Sequence, residues 1–335
     1  MADLTGRKAV LSLSFNGKNM KQSLTDYITS FEYTDPATGE SDSISITFQN
    51  INKYWLNKWY PRKGSRIRAS VSLKDWEKVK TSKKIQFGTF TLDTFSFSGR
   101  PMTGKFSALS TPAAEAFKTT IRTKTWKSIT IQAIAGEIAQ RYNLGLVYDA
   151  DNIKIGSIEQ SDRGDSDFLY DICKNYGLGM KVFSNKIIIF DEERYEEKKS
   201  VLTLKETDFL SWDFQDTLIG TYTGGKIKYT DPNNDKDYTI TVGDGSRILR
   251  VSEKADSLED ARRKVTAKVN EQNKMATTLN VTMVANPKVI ATANVTITGM
   301  GKINGKYAIN KVKHSVGKGY TMSVELRKIR KRIKG

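Results

Sequence analysis

Apolar and polar positions alternate through the first third of the chain. Val10-Leu11-Ser12-Leu13-Ser14-Phe15 has the period of two that a half-buried strand needs, and the Asn16-Gly17 pair after it favours a tight turn. The alternation returns in Ser43-Ile44-Ser45-Ile46-Thr47-Phe48 and again from Arg66 to Leu73. Phe87 to Phe97 and Lys105 to Leu109 read as the arms of a hairpin about Ser98-Gly99-Arg100-Pro101. Short strands separated by turn residues predict a barrel or sandwich for residues 1 to about 115. Tyr54-Trp55-Leu56-Asn57-Lys58-Trp59-Tyr60 breaks the pattern and reads as a loop or short helix plugging one end.

The period changes near residue 116. Ile131, Ile134, Ala135, Ile138, Ala139 and Tyr142 recur at helical spacing, with Thr130 placed to cap the first turn. A second helix opens near Asp165 or Ser166, carries Phe168, Leu169, Ile172, Cys173 and Tyr176 on one face, and can close at Gly177 in the left-handed conformation. Met180 to Phe183 and Lys186 to Phe190 flank Ser184-Asn185 as a hairpin. Residues 116 to 200 therefore predict a small α+β insert, and the charged run Asp191 to Lys199 reads as a linker or exposed edge.

From 201 to 335 the pattern returns to β with one helix. Thr221 to Thr230 and Asp237 to Val242 flank a turn at Asp231-Pro232-Asn233-Asn234. Ser257 caps a helix over about 257–273 that carries Leu258, Ala261, Val265 and Val269, with Asp260 at the capping-box position. Strands follow at Leu279 to Val284, Val295 to Thr298, Tyr307 to His314 and Tyr320 to Leu326. The fold class is thus β-rich α+β.

Composition narrows the picture. With 335 residues the chain has length for two or three domains, and its apolar content of 38% is enough for packed cores. The single cysteine, Cys173, rules out an internal disulfide and fits a reducing compartment. The first residues lack the apolar core of a secretory signal, and no run approaches the roughly 20 apolar residues of a membrane helix, so a soluble chain without a membrane anchor is expected. The net charge of +17 favours anionic partners, nucleic acid among them.

Reactive chemistry finds little support. Cys173 lies on an apolar helix face, where a thiol behaves as a small hydrophobe, and the one histidine, His314, sits in a strand. One histidine and one cysteine make a zinc site or a cysteine–histidine pair a poor reading, and no Gly-x-Ser-x-Gly elbow precedes His314. Asp162, Asp165 and Asp167 cluster at a helix start, where carboxylates stabilise the helix dipole; the loop lacks the Gly and terminal Glu of a calcium-binding EF-hand. Asp191-Glu192-Glu193 and Glu196-Glu197 read as solvated charge, and the glycines form no phosphate loop. The last nine residues crowd Arg327, Lys328, Arg330, Lys331, Arg332 and Lys334 with no aromatic between them. That composition suits an acidic protein neighbour, or solvent, better than stacked bases.

Three stretches carry a family resemblance. Phe87-Gly88-Thr89-Phe90-Thr91-Leu92-Asp93, followed by Phe95 to Pro101 and Phe106 to Ser110, is one. Thr125 to Thr130 before the Ile131 helix, with Asp165-Ser166-Asp167-Phe168-Leu169 opening the next, is the second. The third is Gly305 to His314 followed by Gly319-Tyr320-Thr321-Met322-Ser323-Val324. In this order the chain resembles the phage late control protein D family, the hub proteins of contractile-tail baseplates, related to the hub part of VgrG spikes.

The resemblance implies two tail-tube-like β-barrel domains, at 1–115 and 201–335, about the 116–200 insert. It implies a homotrimeric ring joining a six-fold tail tube to a three-fold central spike. Its partners would be the tube or tube-initiator protein, the spike, the tape measure and the baseplate wedge proteins, in a virion or tail-like bacteriocin assembled in the bacterial cytoplasm. The role is structural, with no cofactor, metal or catalytic residue. Interface residues are expected at Tyr54, Trp55, Trp59 and Tyr60 and at Arg327, Arg330, Lys331 and Arg332, since aromatics and arginine are enriched at buried interfaces. A nucleic-acid-binding β module and a tail-associated peptidoglycan hydrolase are the rival readings.

Overall fold

The computed structural model describes residues 6–20, 27–76, 80–110, 116–232, 235–317 and 319–335. The expected chain start through Thr5 and the turn residues Asn233-Asn234 lie outside them. The first region supplies β1 (Lys8–Phe15), β2 (Lys18–Asn19), β3 (Ile28–Pro36), β4 (Ser43–Gln49), β5 (Arg66–Lys74), β6 (Ser82–Ser98) and β7 (Thr103–Leu109). In β4, Ile44, Ile46 and Phe48 are buried while the serines and threonine between them are not, so the alternation sorts one face inward. β6 and β7 form the expected hairpin, but β6 is longer, beginning at Ser82, and β3 adds a strand.

The insert contains β8 (Ile121–Thr130), α1 (Ile131–Arg141), β9 (Gly145–Asp149), β10 (Lys154–Gly164), α2 (Asp165–Asn175), β11 (Leu178–Phe183), β12 (Lys186–Asp191) and α3 (Glu192–Glu197). Thr130 Oγ1 accepts from Ala133 N at 3.2 Å, the predicted cap of α1. Gly177 takes a positive φ of 73° just past α2, which lets the chain turn straight into β11. The hairpin turn falls at Ser184-Asn185, both at positive φ, and β12 pairs parallel with β9 on its other side. The Asp191 to Lys199 run is no linker: Asp191 Oδ1 accepts from Arg194 N at 2.9 Å and starts α3.

The last region contributes β13 (Leu202–Lys205), β14 (Phe209–Asp216), β15 (Gly224–Asp231), β16 (Lys236–Gly243), β17 (Ile248–Val251), α4 (Leu258–Asn273), β18 (Thr277–Val284), β19 (Asn294–Thr298), β20 (Gly305–Val316) and β21 (Tyr320–Lys328). Ser257 Oγ caps α4 by accepting from Asp260 N at 3.1 Å.

The two outer β regions share one sheet. Its order is β14-β18-β21-β20-β3-β4-β7-β6-β5-β1-β2, with β13 and β19 branching from β20. The join is the antiparallel pair β20 and β3, in register from Lys311–Pro36 to Val316–Phe31. Residues from both regions fill one apolar cluster, in which Phe31, Ile67, Phe90, Tyr307 and Leu326 are fully buried. Two smaller cores stand apart from it. One gathers α1, α2 and the β11-β12-β9 sheet of the insert; the other packs α4 on the β16-β15-β17 sheet.

Candidate interaction surfaces

The aromatic segment packs against β1, β4 and β7 of the long sheet. Lys53 enters it at a positive φ of 54°, and a single 3-10 turn at Tyr54–Leu56 swings Trp55 inward. The Trp55 ring lies 5.7, 5.3 and 5.0 Å from those of Phe15, Phe48 and Phe106, and Trp59 packs against Tyr54 and Trp55. Trp55 and Trp59 are therefore half-buried anchors, whereas Tyr54 and Tyr60 face solvent, Tyr60 leaning on Phe95. The exposed surface of this plug is tyrosine rather than tryptophan.

The basic tail is largely spent within the chain. Arg327 Nη1 meets Glu196 Oε1 at 2.5 Å, and Arg332 Nε meets Glu196 Oε2 at 2.8 Å. Arg330 pairs with Asp216 at 2.5 Å, and Lys334 pairs with Glu193. Ile333 N donates to Asn270 Oδ1, and Asn270 Nδ2 donates back to Ile333 O, both at 2.9 Å. The tail thus straps β21 to α3, α4 and β14. Glu192 and Glu196, expected in solvent, are buried: they stand four apart on α3, turned toward Lys274, Arg327 and Arg332. Burial works against the charge of Glu196, but Arg332 and Arg327 hold it below the usual carboxylate range. Lys331 alone among the predicted basic contacts is exposed with no partner among the described residues.

A second buried polar cluster joins the insert to the sheet. Lys181 of β11 reaches Asp35 Oδ1 at 2.6 Å and Asp42 Oδ1 at 3.0 Å. Tyr33 OH donates to Asp42, and Asp35 Oδ2 accepts from Ala291 N at 2.9 Å. Burial opposes the Lys181 charge, yet the two carboxylates hold the ammonium above its usual range; burial pushes the Asp42 carboxyl up to about 6. The groups line a cavity of about 350 Å³ that His314 also borders. Its Nδ1 shares a 2.7 Å hydrogen bond with Tyr320 OH, and its ring packs on Tyr33 and Phe87. Burial pulls the imidazole down to about 4, so it is neutral at pH 7.

The other chemical candidates resolve into structure. Cys173 is fully buried in the insert core, where burial pushes the thiol up, and His314 belongs to the long sheet. Asp165 is buried at the start of α2 and accepts from Gln160, Arg141 and Tyr142 at 2.7, 2.5 and 2.7 Å. Those bonds outweigh burial and keep it ionised. Asp162 caps Thr123 across the β8–β10 pair. Among the described residues no group of three or more His, Cys, Asp or Glu could hold a metal, and no helix is long and apolar enough to cross a membrane.

The shape of the whole chain finds clear counterparts. The 43 kDa tail protein of prophage MuSo2 from Shewanella oneidensis superposes with a TM-score of 0.73, covering 96% of this chain and 98% of that one at 12% identity. The fold is that of phage tail proteins. The tail protein from Neisseria meningitidis MC58 matches with a TM-score of 0.71 over 96% of both chains at 11% identity. The E. coli c3393 protein, a type VI secretion component described as structurally similar to the T4 tail proteins gp27 and gp5, matches with 0.61 over 96% of this chain and 78% of that one at 11% identity. No protein-family model and no curated protein sequence matches the chain.

Against this tail-protein fold, the residues that sequence reasoning missed are the junction groups Asp35, Asp42, Lys181, Glu192 and Glu196. Each reads locally as an ordinary surface charge. A usable signal existed only for the Glu192–Glu196 pair, whose spacing puts both on one helix face.

Proposed function

We propose that this chain is a structural subunit of a tail baseplate, working as a homotrimeric hub between a six-fold tube and a three-fold spike. The observation that carries the reading is the agreement of fold with prophage tail proteins over nearly the full length of both chains. In this reading residues 1–115 and 201–335 act as two tube-like barrel domains, so three copies offer six to the tube. The tube or tube-initiator protein, the central spike, the tape measure and the wedge proteins are its neighbours, in a virion or tail-like bacteriocin particle. Tyr54, Tyr60, Arg330 and Lys331 are the accessible members of the proposed contact set; Trp55, Trp59, Arg327 and Arg332 support them from beneath.

The mechanism is mechanical. The shared sheet makes the two β regions one body, and the Lys181 and Glu196 clusters lock the insert and tail to it. Load passing from tube to spike would meet buried ion pairs rather than a hinge. The basic tail loses weight as a nucleic-acid site, since Arg327, Arg330, Arg332 and Lys334 are already paired with carboxylates. A cysteine–histidine hydrolase is disfavoured by the separate cores that hold Cys173 and His314.

The test is native mass measurement of the purified chain, followed by imaging of negatively stained particles. A mass of three copies and a ring with three-fold or pseudo-six-fold symmetry is expected. A strict monomer that never enters a tail particle overturns the proposal.

A further inference from the structure

The charge excess of +17 is not spread evenly over the molecule. In the insert and the last region, cations repeatedly meet carboxylates, as at Arg141, Lys274 and Arg332. In residues 6–110 no lysine or arginine forms an ion pair among the described residues. The described acids of that region are committed elsewhere. Asp35 and Asp42 hold Lys181, Glu32 holds Lys313 and Glu40 holds Lys311. Asp75 Oδ1 accepts from Lys80 N, and Asp93 Oδ2 from Thr94 Oγ1.

Strand register gathers six of the unpaired cations on one face of the long sheet. Residues two apart on a strand share a face, and so do residues directly opposite on neighbouring strands. Arg66, Arg68 and Lys74 of β5 stand on the face opposite to Ile67, Ala69, Val71 and Leu73, which are buried. Lys8 of β1 lies opposite Lys74, and Lys84 of β6 lies opposite Ser72. Arg66 is opposite Thr91 and Thr91 is opposite Leu109, four residues along β7 from Lys105, so Lys105 joins the same face. All six cations are exposed. Ser12, Ser72, Thr89, Ser96 and Thr47 stand between them in register. Lys8 and Lys74 set like charges directly opposite, which costs stability until an anion lies across them.

The make-up of the face selects among anions. A protein partner is met through a core of apolar and aromatic side chains. Here the large apolar residues in register, Val10 and Leu109, are half-buried, and no aromatic ring stands among the in-register residues. Single strands of nucleic acid are held by stacking on such rings, so they too find no platform. Cations interleaved with hydroxyls suit phosphate oxygens, which take contacts from lysine, arginine, serine and threonine without reading sequence. The dimensions agree. From Arg66 to Lys74 β5 runs about 27 Å, and β1, β5, β6 and β7 together span about 14 Å. One strand of duplex DNA sets a phosphate every ~3.4 Å of axis, so several fall within that reach.

We propose that this face of β1, β5, β6 and β7 binds the phosphate backbone of duplex DNA without regard to sequence. The proposal does not rest on the hub reading, since every contact comes from one copy of the chain.

The test is fluorescence anisotropy of a labelled mixed-sequence duplex of about 20 base pairs, titrated between roughly 50 and 200 mM KCl. The slope of log K against log salt should lie near about −4 to −5, as expected for five or six phosphate contacts. A duplex of unrelated sequence should bind alike. Arg68→Gln/Lys84→Gln/Lys105→Gln should flatten the slope by about 3 and weaken binding about 10²- to 10³-fold at roughly 0.1 M salt. If circular dichroism shows that this variant loses its fold, each single substitution should flatten the slope by about 1. Lys288→Gln/Lys302→Gln/Lys331→Gln removes as much charge from exposed positions elsewhere and should leave the slope unchanged. Equal losses in the two triple variants would mean diffuse attraction and overturn the face. Absence of duplex binding at the lowest salt overturns it outright. Poly-glutamate that displaces the duplex at equal charge concentration would assign the face to an acidic protein and overturn the DNA proposal. None of these outcomes bears on the mass of the assembly, which tests the hub separately.

Discussion

His314 and Asp42 border the same cavity, and their titrations act on stability in opposite directions. Burial lowers the imidazole from 6.5 to about 4, with Tyr33, Phe87 and Tyr320 against the ring and the Asp35 carboxylate working against the shift. The unfolded chain takes up this proton near pH 6.5, whereas the fold refuses it until about pH 4. Stability from His314 is therefore full above 6.5 and is lost on acidification, by about 3 kcal/mol at the low end. Asp42 behaves the other way. Burial raises its carboxyl from 3.8 to about 6, so the fold binds a proton that the unfolded chain does not. Its contribution is full below 3.8 and is lost as pH rises through 6, again about 3 kcal/mol. Between pH 4 and 6 the two slopes nearly cancel. Guanidinium denaturation from pH 7 to pH 4, at fixed protomer concentration, should expose each in turn. Relative to the parent, His314→Gln should gain about 3 kcal/mol over that interval and Asp42→Asn should lose about as much. Curves for His314→Gln that run parallel to the parent's would refute a buried neutral imidazole.

Glu196→Gln should cost about 3–5 kcal/mol at neutral pH, since it leaves Arg327 buried without its carboxylate and Arg332 with only the longer contact to Glu192; Lys331→Ala in the same tail should stay within about 0.5 kcal/mol, and denaturation midpoints check both. Gly225→Ala should destabilise by about 1–3 kcal/mol, because its Cβ would meet Val269 Cγ2 at 2.4 Å and Val265 Cγ2 at 2.7 Å and push α4 off its sheet; thermal melting reads the loss. Cys173 should resist aromatic disulfide reagents in the native state and react at once in denaturant, as absorbance of the released thiolate would report.

The elements legible in the sequence carry their own periodicity. β4 and α1 each repeat their pattern without interruption, and both fall where that pattern puts them. β3 escaped because its third inward position is Asp35, after Phe31 and Tyr33, and a carboxylate there reads as a break in the pattern. It is tolerated because Lys181, 146 residues away, supplies the charge. β14 escaped for a different reason. Its bulge spaces Phe209, Trp212 and Phe214 by three and then two, which belongs to neither a strand nor a helix. Pairing between distant strands has no local signature either. β20 bonds to β3 across most of the chain, so two regions that each look able to form a barrel become halves of one sheet.

The same distinction governs the candidate site. A catalytic centre announces itself by residue type, and the search for one could be carried out on the sequence. A subunit that works by being joined to neighbours relies on ordinary residues in unusual surroundings. Glu196 matters because two arginines from the far end of the chain are buried against it. The tail shows how far that changes a reading. Six cations in nine residues look like an offer to an acidic partner, yet three of them pair with α3 of the same chain and a fourth with Asp216 of β14. Net charge therefore overstates what the tail can give a neighbour. Charge without a partner among the described residues lies instead at the β1 end of the sheet, at Arg7, Lys8, Lys18 and Lys74.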